Sequence, residues 1–280
     1  MIVYANAKIN LSLDVVAKRA DGYHEVSMIM QEVDLCDILE ITQIEGSGIE
    51  LYCNTLACDE SNIVYRAARC FYVALGSDAL CKIVLTKRIP VCAGLGGGSS
   101  DAAAVLKALN EINGFPFSTE KICELALGLG ADVPFFITGG TALACGIGEK
   151  LTALPSPGAK WVALIKPDID ISTPLAYREL DSKPTLHPDT RKVCECIQSG
   201  NVAQMYKYCG NSFEEVSRSK YPEIDIIKEH LYAKGAEFAM MSGSGPTVFG
   251  IFESENAARE AFESYNGSFQ GGGVARFVGV

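Results

Sequence analysis

One stretch of the sequence decides the fold: Pro90-Val91-Cys92-Ala93-Gly94-Leu95-Gly96-Gly97-Gly98-Ser99-Ser100. It lies between an apolar segment at 81–87 that predicts a strand and a segment from Ser99 to Gly114 with helical spacing. Its four glycines let the backbone adopt positive φ and approach a ligand closely. A helix N-terminus attracts anions, so the stretch predicts a phosphate-binding loop. The alternative is a flexible turn in which Ser99 or Ser100 caps the helix.

The spacing of this loop excludes several common nucleotide sites. The sequence has no Gly-x-x-x-x-Gly-Lys-Ser/Thr, so it is not a P-loop protein. Gly94-x-Gly96 is followed three residues later by Ser99 where the dinucleotide fingerprint requires glycine. The His-Arg-Asp and Asp-Phe-Gly elements of protein kinases are also missing from the sequence.

Strands and helices alternate along the rest of the chain. Residues 3–14 alternate between apolar and polar, which predicts a half-buried strand. Before the linker candidate at 154–158, we predict strands near 27–34, 37–43, 48–53 and 81–87 and helices from 62, 99 and 118. After it, we predict strands at 161–165, 237–241, 247–252 and 274–278 and helices near 174–180, 188–199, 201–208, 221–234 and 254–265. The pattern predicts two α+β domains, residues 1–154 and 155–280.

Composition and charge narrow the class of protein. The 280 residues carry a net charge of −10, which makes nucleic acid an unfavourable partner. No apolar run of membrane-spanning length and no signal peptide is recognisable. Eleven cysteines without a Cys-x-x-Cys pair, together with only three histidines, argue against a zinc site. Buried free thiols in a cytoplasmic protein are the better interpretation.

Three ordered segments resemble the motifs of the GHMP kinases, a family of small-molecule kinases. They are Ala5-Asn-Ala-Lys8-Ile-Asn10, the Pro90–Ser100 loop, and Met241-Ser-Gly-Ser-Gly-Pro246-Thr-Val-Phe. The resemblance implies a two-domain α+β fold, with an N-terminal nucleotide-binding α/β domain, a C-terminal α/β-sandwich domain and the active site in the cleft between them. Two more segments, Arg19-Ala-Asp-Gly-Tyr23-His24 and Gly130-Ala-Asp132-Val-Pro-Phe-Phe, resemble the branch that phosphorylates the 2-hydroxyl of a cytidine-diphosphate-linked methylerythritol in non-mevalonate isoprenoid synthesis.

The resemblance implies ATP and Mg²⁺ as cofactors and assigns two catalytic residues, Lys8 and Asp132. An aspartate can accept the proton of a sugar-alcohol hydroxyl, and a cation eases the development of charge. The alternatives are a solvated strand face for Lys8 and a helix N-cap ahead of Pro134 for Asp132. The nucleotide would lie on Pro90–Ser100, with Asn62 on the adenine side, unless Asn62 is only a helix cap. The ligands of Mg²⁺ stay unassigned.

The same resemblance assigns the residues that contact the second substrate. Tyr23 would stack on cytosine, His24 would hydrogen-bond its edge, and Tyr177 would supply a ring on the opposite face. Asn10 and Thr173 complete the predicted substrate site. An ordinary exposed loop is the alternative for Tyr23. The implied partners are ATP and one small molecule, with no nucleic acid, membrane or obligate protein partner.

Two other functions compete with this interpretation. The first is another GHMP kinase, acting on homoserine, mevalonate or a hexose. Those substrates carry no base, so Tyr23, His24 and Tyr177 would have no partner to recognise. The second is a non-catalytic nucleotide-binding protein on the same fold. The presence of both Lys8 and Asp132 argues against it, because a binding module needs no base at the acceptor site.

Overall fold

The computed structural model describes residues 1–46, 48–183 and 185–279. Its strands are β1 (Ile2–Lys18), β2 (His24–Gln43), β3 (Gly48–Cys53), β4 (Leu80–Thr86), β5 (Thr141–Gly146), β6 (Lys150–Leu154), β7 (Trp161–Pro167), β8 (Phe238–Met241), β9 (Val248–Phe252) and β10 (Phe269–Arg276). Its helices are α1 (Ile63–Leu75), α2 (Gly97–Ile112), α3 (Thr119–Leu129), α4 (Phe135–Thr138), α5 (Thr173–Leu180), α6 (Thr190–Gln198), α7 (Val202–Met205), α8 (Ser212–Arg218), α9 (Glu223–Ala233) and α10 (Glu255–Glu263).

The chain divides into two compact units that are discontinuous in sequence. The first contains Met1–Ala7, Cys36–Ile89 and Gly96–Thr138, and the second contains Lys8–Leu35, Pro90–Leu95 and the chain from Gly139 onward. These units are groups of residues that contact one another in the fold. The predicted division between residues 154 and 155 concerns two successive family domains, and it stays a prediction. Strand β2 is continuous and contributes its C-terminal half to the first unit and its N-terminal half to the second.

Helices α1, α2 and α3 pack together in the first unit, beside a sheet in which β4 pairs parallel to β3 and antiparallel to β2. Local signals set the ends of α1: the Asn62 side chain accepts a hydrogen bond from the amide of Val64, and Gly76 ends the helix at φ 71°. The apolar residues at helical spacing then face inward, with Val64 and Phe71 fully buried.

A four-stranded antiparallel sheet, in the order β10-β7-β9-β8, organises the second unit. Helices α9 and α10 pack against it. Its central strand β7 is buried on both faces, which explains why Val162–Ile165 reads as a continuous apolar run. In the same unit the N-terminal half of β2 pairs antiparallel with β5, which pairs with β6.

The structure corrects several predicted elements. The strands predicted at 27–34 and 37–43 form the single strand β2, and the helix predicted from Ser99 begins at Gly97. The interior of β1 is buried on both faces from Ala7 to Leu13, so it is more than a half-buried strand. Helix α8 and strands β5 and β6 were not predicted. Within the described ranges, no helix combines the length and apolarity needed to cross a membrane.

Candidate active site

Lys8 lies in the buried interior of β1. Only 4% of the residue is exposed, and its Nζ donates a hydrogen bond to Oδ1 of Asn10 at 2.6 Å. Asn10 is itself fully buried, with Nδ2 at 3.3 Å from the sulfur of Met28. The solvated-strand alternative for Lys8 is therefore wrong, because the side chain is buried. Burying an ammonium is costly, and the hydrogen bond to Asn10 compensates part of that cost. Asn10 therefore holds the Lys8 ammonium, and its predicted contact with substrate stays a prediction.

The turn Ser242–Pro246, between β8 and β9, lies against both Lys8 and the glycine loop. Ser242 donates a hydrogen bond from Oγ to the carbonyl of Gly94 at 3.0 Å. A Cβ added to Gly243 would lie 3.0 Å from the Gly94 carbonyl oxygen and 3.4 Å from Nζ of Lys8. A side chain at this point of the turn would require its neighbours to move by a few tenths of an ångström, and its φ of 60° also favours glycine.

Side chains from two other elements hold this turn in place. Asn211 donates from Nδ2 to the carbonyls of Met241 and Gly243, each at 2.8 Å. Ser244 forms a hydroxyl–hydroxyl hydrogen bond of 2.7 Å with Thr173, the first residue of α5. The turn thereby fixes the start of the helix that carries Tyr177.

The glycine loop uses positive φ at Cys92 (53°), Gly94 (74°) and Gly96 (70°), but not at Gly97 or Gly98. Gly94 is the most constrained of them. A Cβ there would lie 2.1 Å from the carbonyl oxygen of Ser242, which no adjustment of a side chain can relieve. Close backbone packing therefore explains the glycine at this position.

Helix α2 begins without a side-chain cap. Gly96 is its N-cap residue, in the left-handed region, and its first helical hydrogen bond runs from the Ser100 amide to the Gly96 carbonyl at 2.9 Å. Ser99 and Ser100 lie inside the first turn, so the N-cap alternative proposed for them is wrong. A sixteen-residue helix with an uncapped first turn offers amide N–H groups and its dipole to an anion.

A buried cluster of charged side chains supports the start of α2. The ammonium of Lys87 is hydrogen-bonded to Asp37 and, at 2.7 Å, to Oδ2 of Asp101. A Cβ on Gly97 would lie 3.2 Å from this ammonium. Oδ1 of Asp37 also accepts hydrogen bonds from the amides of Arg88 and Ile89, at 2.5 and 2.8 Å, just before the loop.

One cation serves two carboxylates in this cluster. Burial alone would lower the pKa of Lys87, but the charges of Asp101 and Asp37 outweigh it and raise that pKa. Burial raises the pKa of Asp101 to about 7, and the like charge of Asp37 adds to the effect against the opposing charge of Lys87. Proton uptake by Asp101 therefore relieves the excess negative charge near neutral pH.

Asn62 and Asp132 behave differently from each other as helix caps. Asn62 is the N-cap of α1 and engages both amide atoms, accepting from Val64 at 3.0 Å and donating to the Ala57 carbonyl at 2.7 Å. Its assignment to the adenine site stays a prediction. Asp132 is half-buried in the turn before α4, and within the residues that the structure describes no hydrogen bond joins its carboxylate to that helix. The cap alternative for Asp132 therefore gains no support.

A cavity of about 410 Å³ lies among residues far apart in sequence. Its lining includes four residues predicted to bind the second substrate: Tyr23, His24, Thr173 and Tyr177. Tyr23 is 60% exposed, but its loop is ordered by hydrogen bonds. Its carbonyl accepts from the amide of Arg19 at 2.8 Å, and its own amide donates to Asp21 at 3.1 Å.

The rings at the base of the cavity pack in an order that the sequence did not predict. His24 stacks on Tyr177, with centroids 4.4 Å apart and planes 21° apart, and Tyr177 contacts Phe213 edge-to-face. Nε2 of His24 is hydrogen-bonded to Asp181 at 2.7 Å. Asp181 was missed, although it lies four residues after Tyr177, directly after the helix predicted at 174–180, and that spacing was a usable signal.

Comparison with known proteins identifies the family. The model for the GHMP kinases N terminal domain matches residues 62–140, and the model for the GHMP kinases C terminal region matches residues 186–270. The chain is 44% identical over 274 residues to the 4-diphosphocytidyl-2-C-methyl-D-erythritol kinase of Geobacter metallireducens, covering 94% of this chain and 93% of the relative. The Listeria welshimeri kinase of the same name is 42% identical over 267 residues, covering 95% and 92%.

The chain belongs to this kinase family. A crystal structure of a 4-(cytidine 5'-diphospho)-2C-methyl-D-erythritol kinase matches the fold with a TM-score of 0.83 at 33% identity, covering 98% of this chain and 99% of the other. Homoserine kinase from Cytophaga hutchinsonii, at 20% identity and a TM-score of 0.72, shares the fold and covers 98% of this chain and 95% of its own. The predicted GHMP kinase fold, and this branch of it over the homoserine, mevalonate and hexose kinases, are confirmed.

The packing at Gly94 gives a first prediction. Gly94→Ala places a Cβ against the Ser242 backbone, so the glycine loop must shift, and we expect kcat/KM for ATP to fall by about 10²-fold. Gly128→Ala is the matched control, because an added Cβ there meets no atom within 4 Å and lies inside α3. Steady-state kinetics with varied ATP check both variants. Equal kinetics for a folded Gly94→Ala and the parent would contradict close packing at this position.

Proposed function

We propose that this kinase transfers the γ-phosphoryl group of ATP to the 2-hydroxyl of 4-(cytidine 5'-diphospho)-2-C-methyl-D-erythritol, a step of the non-mevalonate isoprenoid pathway. The observation that carries the proposal is the cavity lined by Tyr23, His24 and Tyr177. Stacking rings suit a nucleobase, and a polar ring edge beside them suits base-specific hydrogen bonds. Homoserine, mevalonate or a hexose would leave these groups without a ligand.

The phosphates of ATP are assigned to the Pro90–Ser100 loop and the first turn of α2. The uncapped amides of that turn and the helix dipole supply positive potential that the net charge of −10 does not. Asn62 is proposed on the adenine side, on the resemblance alone.

Mg²⁺ is proposed as the counter-ion of the phosphates. Among the described residues, no group of three or more His, Cys, Asp or Glu side chains could hold a metal by itself. Mg²⁺ often keeps several waters and binds largely through substrate phosphates, so a site with few protein ligands is compatible with it. The hydroxyls of Ser99 and Ser100, in the first turn of α2, are the protein oxygens that we assign to this region. When bound, the ion neutralises charge on the transferring phosphoryl group.

Asp132 and Lys8 are the proposed catalytic residues. An alcohol is a weak nucleophile, and a carboxylate that accepts its proton in the transition state accelerates attack. Asp132 is half-buried, which limits competition from water for that proton. Lys8 is desolvated at 4% exposure, so its charge acts at low effective dielectric on developing negative charge.

A coupled ATP-consumption assay tests the proposal. We expect turnover with the cytidine-diphosphate-linked methylerythritol and none with mevalonate, homoserine or galactose; the reverse preference would overturn the proposal.

Tyr23→Ala should raise KM for the cytidine substrate by about tenfold and leave KM for ATP unchanged, since one stacked base is worth about 1–3 kcal/mol. Tyr4→Ala is the control, because Tyr4 is an equally exposed tyrosine (64%) outside the cavity lining.

The remaining assignments concern the domain boundaries, the cellular compartment and the partners of the enzyme. Residues 1–154 and 155–280 are proposed as the N- and C-terminal family domains, and each contains one family match. The proposed compartment is the cytoplasm, which suits eleven cysteines that form no disulfide within the described part of the chain. ATP and one small molecule are the proposed partners.

A further inference from the structure

Asp181 is a charged residue of the aromatic cavity that the proposed mechanism does not use. Its carboxylate bridges two side chains, accepting from Nζ of Lys18 at Oδ2 (2.5 Å) and facing Nε2 of His24 at Oδ1 (2.7 Å). Each oxygen therefore has one partner. Asp181 is the C-cap residue of α5, and its backbone amide donates a hydrogen bond to the carbonyl of Tyr177 at 3.0 Å.

The helical spacing of Tyr177 and Asp181 clamps one imidazole. Residues four apart lie on the same helix face, so the two side chains approach His24 together. The Tyr177 ring covers the face of the imidazole, while the Asp181 carboxylate takes its edge. The His24 side chain is 8% exposed, so its ring is fixed in both tilt and rotation.

The same contact fixes the position of the imidazole proton. Hydrogen bonds from Lys18 and then His24 hold the pKa of Asp181 below its usual value, so the carboxylate is ionised and can only accept. Nε2 of His24 must therefore carry hydrogen. In the neutral ring the other nitrogen, Nδ1, is then an acceptor, on a histidine that lines the cavity.

An acceptor at this point distinguishes the two pyrimidines. Cytosine carries an N4 amino group, a donor, at the position where uracil carries a carbonyl oxygen, an acceptor. We propose that Asp181 is a positioning residue that sets the tautomer of His24 and thereby makes the cavity select cytosine over uracil nucleotides. The inference rests on the proposed function in one respect, the presence of a pyrimidine in this cavity.

Asp181→Asn inverts the predicted hydrogen bonding without changing the size of the side chain. The ammonium of Lys18 can only donate, so the amide oxygen turns toward Lys18 and the amide NH₂ toward His24. Nε2 must then accept, and the proton moves to Nδ1. We expect affinity for cytidine 5'-diphosphate to fall about tenfold to a hundredfold and selectivity over uridine 5'-diphosphate to be lost or reversed.

Two measurements test the inference. ¹⁵N chemical shifts of histidine, recorded at about pH 8.5, two units above the ordinary imidazole pKa, report the tautomer. The sequence has only three histidines, so His187 and His230 serve as internal references. Isothermal calorimetry with cytidine and uridine 5'-diphosphate gives the selectivity without requiring turnover. We expect the parent to show hydrogen on Nε2 of His24 and Asp181→Asn to show it on Nδ1.

A second variant separates this mechanism from simple loss of structure. Lys18→Met in the Asp181→Asn background frees the amide to turn its oxygen back to His24, so the parent tautomer and cytidine selectivity should be largely restored. Asp14→Asn is the matched control, because Asp14 contacts Nδ1 of His187 at 2.7 Å and should alter only that histidine.

Three outcomes would overturn the inference: an unchanged His24 tautomer in Asp181→Asn, a changed tautomer with unchanged nucleotide selectivity, or no rescue by Lys18→Met. Failure of the proposed function is distinguishable from these, since it appears in the parent enzyme as missing turnover of the methylerythritol substrate. The tautomer and the nucleotide selectivity are measured in separate experiments that do not depend on it.

Discussion

Replacing Asp132 by asparagine is expected to lower kcat by about 10²–10⁴-fold, the usual contribution of a general base. The amide keeps the size of the side chain and much of its hydrogen bonding, but it cannot take the proton of the acceptor hydroxyl. KM for both substrates should change little, because the lost interaction is made only in the transition state. Steady-state and single-turnover kinetics measure the change.

Stability provides the control for this variant. No hydrogen bond joins the Asp132 carboxylate to α4 within the described residues, so Asp132→Asn should leave the melting temperature close to that of the parent. Asp78→Asn, at an exposed position of the same compact unit, should change neither quantity. A folded Asp132→Asn enzyme that binds both substrates and turns over at the parent rate would remove Asp132 from the mechanism.

Lys8→Ala extends the same test to the second proposed catalytic residue. It should also slow turnover, since the variant loses the desolvated charge that we propose to act on the acceptor. If the two residues act as one unit, the double variant should be scarcely slower than the worse single variant. Rate losses that multiply would show that Lys8 and Asp132 serve separate steps.

Features encoded by neighbouring residues could be predicted from the sequence. The start of α1 at Asn62 and the start of α3 after Ser118 follow from side-chain caps that act within three residues. The glycine loop was found in the same way, since its glycines and the flanking strand and helix are contiguous. Four of the residues predicted to bind the second substrate line one cavity, but they were assigned through the family resemblance and not through any local pattern, and their contact with substrate stays a prediction.

Features set by distant residues could not be predicted. Strands were predicted at 27–34 and 37–43, yet β2 is continuous from His24 to Gln43. The buried carboxylate of Asp37 within it is neutralised by Lys87, 50 residues away in the sequence. The start of α2 was placed at Ser99 because serine is a common cap, whereas the helix begins at Gly97, after Gly96 in the left-handed region and without a side-chain cap. Sequence spacing carries no information about the contact between Asp37 and Lys87, and a cap made by backbone alone leaves no side-chain signal.

The Lys87 cluster gives the largest expected effect on stability. Among residues 1–46, 48–183 and 185–279, Lys87 is the only cation within hydrogen-bonding distance of the carboxylates of Asp37 and Asp101, whose side chains are 0% and 1% exposed. Lys87→Met removes it. Breaking a buried pair by deleting one partner typically costs about 3–5 kcal/mol. That is a large share of the free energy of unfolding of a typical domain, which is about 5–15 kcal/mol. Urea denaturation at pH 8 should show this loss in the free energy of unfolding, because the negative charges of Asp37 and Asp101 are then left without a cation.

The pH dependence identifies the cause. Because burial raises the pKa of Asp101 to about 7, the folded protein binds this proton more tightly than the unfolded chain, whose carboxyl titrates near about 4. The free energy of unfolding of the parent should therefore fall as pH rises from about 4 to about 7, by at most about 4 kcal/mol from this group. Asp101→Asn should flatten that slope.

The two variants together make the test decisive. At pH 5 Asp101 is already protonated in the folded parent, so Lys87→Met should cost less there than at pH 8. Asp101→Asn added to Lys87→Met should recover part of the loss at pH 8, because one carboxylate is then neutral. Lys121→Met, which removes an exposed pair with Glu124, should cost under about 1 kcal/mol at either pH. A Lys87→Met loss equal to that of Lys121→Met, or equal at both pH values, would show that electrostatics at this cluster do not stabilise the loop that precedes α2.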